Sequence, residues 1–210
     1  HKMIANFIKM ISPIRFRESS VKKDPTDGRN PFDSDYSRIV LSSHFRRLQD
    51  KAQVFPLERS DFIRTRLTHS LEVACFARGL GLGVEKHLLK KKIITETEIG
   101  YIPTILEVAG LIHDIGNPPF GHFGEEIIKS YFQKIKSLSD DNLIKNAFDS
   151  LTDEHLNFDG NVQGFRILRK LGLAHDNFSY NLTMPILATI IKYPYSSLEA
   201  NKKISDGVKY

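Results

Sequence analysis

Apolar residues recur at intervals of three and four along most of this chain, and no segment alternates convincingly between apolar and polar residues as a strand does. This spacing predicts a helix over residues 36–55 and another that starts near Thr68 and weakens at its glycine-rich far end. Their apolar faces would consist of Leu41, Phe45, Leu48 and Ala52 in the first helix, and His69, Val73, Phe76 and Leu80 in the second. Further helices are predicted over 105–115, 162–171 and 183–191, and from Phe123 onward with Ile127 and Tyr131 facing a core. We therefore predict an all-α fold.

The composition is that of a globular chain. Of the 210 residues, 40% are hydrophobic and 26% are charged, which excludes a disordered or fibrous protein. No run of about 18 or more apolar residues occurs, so we expect no membrane span. The single cysteine, Cys75, excludes an internal disulfide and a cysteine-based zinc site, and it favours a reducing, cytoplasmic setting.

The charge balance is basic, with 30 Lys+Arg against 25 Asp+Glu, a net charge of +5 and a pI of about 9.2. The positive residues form small clusters along the chain and are not concentrated in one tail. Solvated helix faces explain most of these clusters, and attraction to a polyanion or to a phosphate ligand is the alternative. Composition alone leaves both interpretations open.

Local composition predicts three segments. Residues 1–35 form a loop-rich leader, because proline, glycine and aspartate cluster in its second half. Residues 36–195 hold the helical domain. Residues 196–210 form a polar tail that buries little, or the start of a segment that continues beyond this chain.

The adjacent pair His113-Asp114 stands at the last turn of the apolar helix predicted over 105–115. Burying an aspartate there costs free energy unless a cation or strong hydrogen-bond donors satisfy it. The carbonyl groups at a helix C-terminus favour a cation at that end. Neighbouring side chains on a helix point about 100° apart, so this histidine and aspartate can flank one ion from two sides.

His69 supplies a second imidazole on the apolar face of the preceding helix. Two imidazoles and one carboxylate suit a divalent Mn, Fe, Co, Ni or Zn ion. A histidine on an apolar face is also commonly a hydrogen-bonded core residue. The His-Asp pair by itself does not separate a metal site from that simpler interpretation.

Four longer strings resemble the deoxyguanosine triphosphate triphosphohydrolases, a family of the HD-domain superfamily of metal-dependent phosphohydrolases. They are residues 46–56 (RRLQDKAQVFP), 65–73 (TRLTHSLEV), 113–125 (HDIGNPPFGHFGE) and 158–166 (FDGNVQGFR). In the last string, the family more often has glutamate and alanine at the positions of Asp159 and Val162. The resemblance covers roughly residues 12–195 and implies an HD-domain helical bundle that is incomplete in this chain.

The activity that this resemblance implies is metal-dependent hydrolysis of a deoxynucleoside triphosphate, most of all dGTP, to the deoxynucleoside and inorganic triphosphate. By resemblance, His69, His113 and Asp114 are the metal ligands, and the metal can be Mn, Mg, Co, Ni, Fe or Zn. By resemblance too, His122 and Glu125 are catalytic, with the glutamate orienting an imidazole that acts at the α-phosphate. A plain hydrogen bond at a helix start is the alternative for that pair.

Four further residues match substrate-binding positions of the family, namely Gln53, Arg66, Asn161 and Gln163. Arg66 would contact a phosphate, since the substrate carries about four negative charges. Gln53 would meet the 3′-hydroxyl of the sugar. The alternatives are a surface arginine, a solvated glutamine, and capping of a helix by Asn161 and Gln163.

HD sites take a fourth protein ligand, an aspartate on a later helix, and by resemblance it would lie beyond Tyr210. We therefore expect this chain to be the N-terminal portion of a longer enzyme with a weakened three-ligand site, and we leave open whether it is active alone. The resemblance also implies a homo-oligomer, such as a hexamer, and allows single-stranded DNA as a regulatory partner.

Two other functions fit the same residues. One is an HD phosphohydrolase that cleaves another phosphate ester, such as a nucleoside monophosphate or a cyclic nucleotide. The other is a catalytically silent HD module that binds nucleotide or single-stranded DNA, which the basic charge favours. Release of intact triphosphate separates the predicted enzyme from both.

Overall fold

A computed structural model describes residues 2–18, 26–51, 62–138, 146, 156–172 and 177–192 of the chain. Within these residues the secondary structure is helical without any strand, which confirms the all-α prediction, and one isolated bridge joins Arg15 to Thr183. The helices are α1 (Lys2–Met10), α2 (Pro31–Val40), α3 (Ser43–Arg46), α4 (Arg66–Lys90), α5 (Tyr101–Ile112), α6 (Gly121–Leu138), α7 (Gly160–Arg166) and α8 (Met184–Thr189). A 3₁₀ segment (Arg47–Asp50) follows α3, another (Glu96–Glu98) precedes α5, and a π-helical turn (Ile167–Leu171) continues α7. None of the described helices is long and apolar enough to span a bilayer.

Helices α4 and α5 run antiparallel and form the most extensive helix pair in the described part of the chain. A Cβ added to Gly110 would lie 2.5 Å from the Cα of Ala74, and one added to Gly81 would lie 2.7 Å from the Cα of Pro103. Backbones this close require a residue without a side chain at the contact. The pairing holds the first turns of α4 beside the last turn of α5, where the candidate site lies.

The hydrophobic core surrounds α5, against which both α2 and α8 pack. Its largest fully buried apolar side chains are Phe32, Ile39, Leu48, Leu111, Ile112, Leu168, Leu182 and Ile186. Burial of one such side chain stabilises the fold by about 1.5–3 kcal/mol. This layer therefore fixes the position of α5 and of the His113-Asp114 pair that follows it.

A buried carboxylate, Asp35 in α2, joins the N-terminal segment to the segment before α8. Its oxygens accept hydrogen bonds from the backbone amide of Thr183 at 2.9 Å, from the hydroxyl of Thr183 at 2.7 Å and from Arg15 at 2.5 Å. Arg15 also donates to the carbonyl of Asn181. The charge of Asp35 is therefore paired and hydrogen-bonded, as a buried ion requires.

The helix predicted over residues 36–55 is interrupted, so that prediction is wrong in part. The chain turns between α2 and α3 because the hydroxyl of Ser42 caps α3 by accepting the amide of Phe45 at 3.1 Å. Leu41, predicted as a core residue, lies in this turn and is 75% exposed. Ala52 lies outside the described residues.

The predicted apolar face of α4 is not the face that packs against α5. Phe76 is 76% exposed and Leu80 is 70% exposed, contrary to the prediction. The buried positions of α4 are Arg66, Ser70, Ala74, Gly81 and Glu85. Two backbones in close contact exclude large side chains, so the small residues Ser70, Ala74 and Gly81 occupy the buried positions between Arg66 and Glu85. The glycines that were expected to weaken the helix lie inside it, and α4 continues to Lys90.

Helices α5 and α6 also depart from the prediction. Helix α5 begins and ends earlier than the predicted 105–115, so His113 is its C-cap and Asp114 lies in the turn that follows. In α6, Ile127 is 52% exposed and Tyr131 is 60% exposed, although both were predicted to face a core. Helices α7 and α8 lie close to the predicted ranges.

Residues 1–35 were predicted to be rich in loops, but the described part of this segment contains α1 and the first turn of α2. The core includes Ile11, and Phe7 and Ile8 pack against it, so apolar contacts hold α1 on the domain. The domain boundaries at residues 35 and 195 stay predictions, and residues 196–210 lie outside the described part.

Candidate metal centre

The first turn of α4 provides one side of the site, and Thr65 caps it. The Thr65 hydroxyl accepts the amide of Thr68 at 3.3 Å, and the Thr68 hydroxyl accepts the amide of Thr65 at 3.0 Å. This reciprocal pair is a capping box made of two threonines. Arg66 is the first residue of the helix, and His69 follows one turn later on the same side.

His113 is oriented by its own helix. Its Nδ1 lies 2.7 Å from the carbonyl oxygen of Gly110. Because a carbonyl only accepts hydrogen bonds, Nδ1 carries a proton and Nε2 faces the site, 3.6 Å from Oδ1 of Asp114. Metal-binding histidines are commonly held by such a bond from their other ring nitrogen.

His69, His113 and Asp114 converge from two helices. Each offers one ligand atom, and these atoms lie within 4.8 Å of one another. The two imidazole rings stand edge to face with centroids 5.3 Å apart. Two imidazole nitrogens and a carboxylate oxygen form a donor set that fits a divalent ion. The structure thus brings together the three residues that the sequence predicted as ligands, and their role as ligands stays a prediction.

Asp114 is only 8% exposed, and its carboxylate is satisfied by two neighbours. Oδ2 accepts a hydrogen bond from Nη1 of Arg66 at 2.8 Å, and Oδ1 accepts one from the side-chain amide of Asn117 at 2.6 Å. Arg66 is 7% exposed, so this is a buried ion pair and not the surface arginine considered from the sequence. Nε of Arg66 is buried and has no hydrogen-bond partner in the described part of the chain, which is costly unless a ligand completes it.

The turn after Asp114 packs directly against α7. A Cβ on Gly116 would lie 2.1 Å from both the carbonyl oxygen of Gly160 and the backbone N of Gly164. A Cβ on Gly160 would lie 2.4 Å from Oδ1 of Asn117 and 2.7 Å from Oε1 of Glu125. Three glycines therefore bring the fourth motif string into contact with the His-Asp turn.

His122 and Glu125 form a hydrogen-bonded pair in the first turn of α6. Nδ1 of His122 lies 2.9 Å from Oε2 of Glu125, and the other carboxylate oxygen accepts the amide of Gly160 at 2.9 Å. Glu125 is buried, whereas the His122 side chain is 91% exposed. The glutamate is thus fixed from two sides and orients an imidazole that is open to solvent.

The start of α6 lies against Arg66. Gly121 has a φ of +55°, and a Cβ at this position would lie 2.8 Å from Nη2 of Arg66. The preceding residue, Phe120, also has a positive φ of 64°, which is uncommon for a residue with a side chain. This tight turn places the His122–Glu125 pair beside the arginine that binds Asp114.

A family model for the HD domain matches residues 66–192, which is more than half of the chain. The chain belongs to the HD domain family. Among curated proteins, it is 45% identical over 202 residues to a deoxyguanosinetriphosphate triphosphohydrolase-like protein of Listeria innocua, covering 93% of this chain and 43% of that protein. It is 47% identical over 174 residues to a protein of the same description from Synechocystis, covering 80% and 38%. It is 37% identical over 204 residues to a deoxyguanosinetriphosphate triphosphohydrolase of Klebsiella pneumoniae, covering 85% and 39%.

These similarities confirm the family resemblance that the four strings predicted. The HD domain implies a divalent metal, and together with the names of the relatives it supports a metal-dependent phosphohydrolase. The chain spans less than half the length of these relatives.

Two residues beside the candidate metal centre, Lys51 and Asn117, were not singled out from the sequence. Nζ of Lys51 donates to the carbonyl oxygen of Asn117 at 2.8 Å, while Asn117 itself donates to Asp114. Burial, followed by the charge of Arg66, lowers the pKa of Lys51 below its ordinary value. Both residues lie inside the motif strings, but the bond from Lys51 to a backbone carbonyl leaves no signal in residue type or spacing.

The remaining predicted substrate residues are Gln53, Asn161 and Gln163. Gln53 lies outside the described residues. Asn161 and Gln163 are half-buried in the first turns of α7, beside the glycine contacts with the His-Asp turn. Capping by these two residues is wrong, because Asp159 caps α7 by accepting the amides of Asn161 at 2.7 Å and Val162 at 3.1 Å. Their role in a substrate pocket stays a prediction.

Proposed function

We propose that this protein hydrolyses deoxynucleoside triphosphates, with dGTP as the first candidate, to the deoxynucleoside and inorganic triphosphate. The observation that carries this proposal is the convergence of His69, His113 and Asp114 beside Arg66. The relatives described above, two named as deoxyguanosinetriphosphate triphosphohydrolase-like and one as the enzyme itself, support the choice of substrate.

Arg66 is the proposed contact for the α-phosphate. Its guanidinium has one nitrogen on Asp114 and a second, Nε, that is buried without a partner among the described residues. A phosphate oxygen is an acceptor of the right charge for such a group, and arginine binds phosphate with fixed geometry. The aspartate holds the guanidinium in place, so little side-chain entropy is lost when substrate binds.

His122 is the proposed proton donor. A divalent metal held by His69, His113 and Asp114 would polarise the α-phosphoryl group and lower the pKa of water. In the reaction, the oxygen of water bonds to the α-phosphorus and the bond from phosphorus to O5′ breaks. O5′ takes a proton from Nε2 of His122, and the proton that water loses returns to the imidazole through solvent. Glu125 fixes Nδ1 of His122, so Nε2 is the atom that transfers the proton.

A product assay on the full-length protein tests the reaction. Incubation with dGTP and Mn²⁺ or Mg²⁺ should release deoxyguanosine and inorganic triphosphate in equal amounts. Stepwise release of orthophosphate, or cleavage only of a nucleoside monophosphate or cyclic nucleotide, would instead identify another HD phosphohydrolase. Both products are separated by ion-exchange chromatography.

His113→Ala tests the role of the metal centre. We expect loss of bound metal, measured by elemental analysis, and a loss of turnover of about 1000-fold or more with helical circular dichroism retained. His87→Ala is the control, since His87 is an exposed histidine near the opposite end of α4. Full turnover in His113→Ala would remove the metal centre from the mechanism.

A nucleotide- or single-stranded-DNA-binding module is the second candidate, and the net charge of +5 favours it. It requires binding that weakens steeply with salt and no release of triphosphate under any metal. By resemblance we also expect a homo-oligomer, such as a hexamer, which light scattering on the full-length protein measures. The single cysteine favours a cytoplasmic setting.

A further inference from the structure

Lys51 is tied to both sides of the metal centre. Its side chain donates to the carbonyl oxygen of Asn117 at 2.8 Å, in the turn after Asp114. Its own carbonyl oxygen accepts the backbone amide of Arg66 at 3.0 Å, at the start of α4. The residue is half-buried, so its ammonium group has a defined position at the edge of the centre.

The positive charge at this edge exceeds the negative charge. Besides burial, the charges of Arg66 and Arg47 lower the pKa of Lys51, and among the described residues Asp114 is the carboxylate that raises it. That carboxylate already accepts hydrogen bonds from Arg66 and Asn117. An ammonium group has three protons to donate, and the carbonyl of Asn117 takes one of them. Among the described residues, two donors of Lys51 and the buried Nε of Arg66 therefore have no acceptor, and one anionic ligand would supply an acceptor to both side chains.

A third cation extends this arrangement toward solvent. Arg47 is exposed and stands four residues before Lys51, at the start of the 3₁₀ segment. Lys51 is half-buried and Arg66 is buried. The cations Arg47, Lys51 and Arg66, which range from an exposed to a buried position, are called here the cationic row.

We propose that Lys51 binds the β-phosphate of a nucleoside triphosphate whose α-phosphate lies at Arg66, and that Arg47 attracts the γ-phosphate. The cationic row would then make the site select triphosphates over monophosphates. This inference rests on the proposed function for its substrate, but the affinity of the row for a chain of phosphates is measurable without turnover.

Titration of the metal-free full-length protein with inorganic tripolyphosphate tests the row, because this probe has neither base nor sugar and no metal is present for it to chelate. In Lys51→Gln, the dissociation constant for tripolyphosphate should rise about 10-fold to 100-fold, as expected for loss of a charged hydrogen bond. The constant for orthophosphate should change by no more than about threefold, since Arg66 remains. Lys51→Arg should recover most of the affinity, because it keeps the charge.

Lys86→Gln is the matched control, since Lys86 is an exposed lysine near the far end of α4, about 30 Å from Arg66 along the helix. With dGTP and metal, Lys51→Gln should raise KM more than it lowers kcat, whereas a merely structural lysine would lower the metal content and the unfolding temperature. Unchanged tripolyphosphate affinity in Lys51→Gln, or an equal loss of orthophosphate affinity, would overturn the inference.

Two outcomes separate this inference from the proposed function. If dGTP yields no inorganic triphosphate while Lys51→Gln still loses tripolyphosphate binding, the proposed function is wrong and the phosphate-binding role of the cationic row is supported. If triphosphate is released but Lys51→Gln binds the probe normally, the row fails alone. Should Lys51→Gln not fold, Arg47→Gln decides, because Arg47 is exposed: a loss of about threefold or more supports the row, and no loss contradicts it.

Discussion

Replacing Gly110 by alanine should weaken both the fold and the metal centre, because this glycine lies where the backbones of α4 and α5 touch. A Cβ at this position would lie 2.5 Å from Cα and 2.6 Å from N of Ala74, and 3.0 Å from the carbonyl carbon of Val73. All three atoms belong to the backbone, so no side-chain rotation relieves the overlap. The two helices must move apart by several tenths of an ångström or more.

The expected loss of stability follows from two opposing effects. Overpacking of a core costs about 1–3 kcal/mol, and the backbone overlap places this substitution at the upper end. Alanine returns up to about 1 kcal/mol because it is a better helix former than glycine. The net loss is about 2 kcal/mol, which lowers the unfolding temperature by about 4–8 °C for a domain of this size.

The metal centre should weaken for the same geometric reason. Gly110 supplies the carbonyl that holds His113, and Ala74 lies on the helix that carries His69, so separating the helices moves the two imidazoles apart. Metal–ligand distances are fixed to about 0.2 Å. We therefore expect the affinity for Mn²⁺ to fall by about tenfold or more, as when an outer contact of a ligand is lost.

Gly79→Ala is the matched control, because it makes the same change inside α4 with nothing within 4 Å of the added Cβ. It should stabilise the fold by about 0.5–1 kcal/mol and leave metal affinity unchanged. Urea unfolding followed by circular dichroism and titration with Mn²⁺ measure both quantities. A Gly110→Ala variant that unfolds no earlier than the wild type, or that is destabilised with unchanged metal affinity, would refute the link between close helix packing and the site.

Two further substitutions test other parts of the fold. Asp35→Ala should cost about 3–5 kcal/mol in urea unfolding, because it leaves the partly buried Arg15 without its anion, while Asp50→Ala on the surface should cost less than about 0.5 kcal/mol. An Asp35→Ala loss as small as that of Asp50→Ala would show that the pair contributes little. Burial, then the charges of Arg47 and Lys51, lower the pKa of His44 below its unfolded value of 6.5, so protonation favours the unfolded chain and stability should fall as pH drops through 6.5. His44→Gln should flatten that fall in urea midpoints between pH 7.5 and 5.5, and an unchanged slope would contradict the assignment.

The sequence predicted which residues meet at the site better than it predicted how the helices pack. His69, His113 and Asp114 can bind one metal ion only if they lie close together, and in the structure their potential ligand atoms lie within 4.8 Å of one another. The face of α4 was predicted from apolar spacing, and that rule fails here because the partner helix approaches too closely for bulky residues. Phe76 is accordingly exposed.

Other features of the site were beyond the sequence because they depend on backbone atoms. The carbonyls of Gly110 and Asn117 orient His113 and Lys51, and any residue type supplies a carbonyl. The burial of Arg66 was also missed, since a first-turn arginine is usually solvated. Only the fold shows that this guanidinium forms an ion pair with the carboxylate of Asp114.

Close contacts between segments explain why the motif strings contain glycines as well as residues with catalytic side chains. Gly116 allows the His-Asp turn to touch α7, Gly160 leaves room for Glu125, and Gly121 leaves room for Arg66. A Cβ on any of these glycines would overlap a neighbouring atom, although none of them has a side chain that could bind metal or phosphate. The strings are therefore constrained by the distances between helices as much as by chemistry, because the site exists only while three separate segments stay within a few ångströms of Asp114.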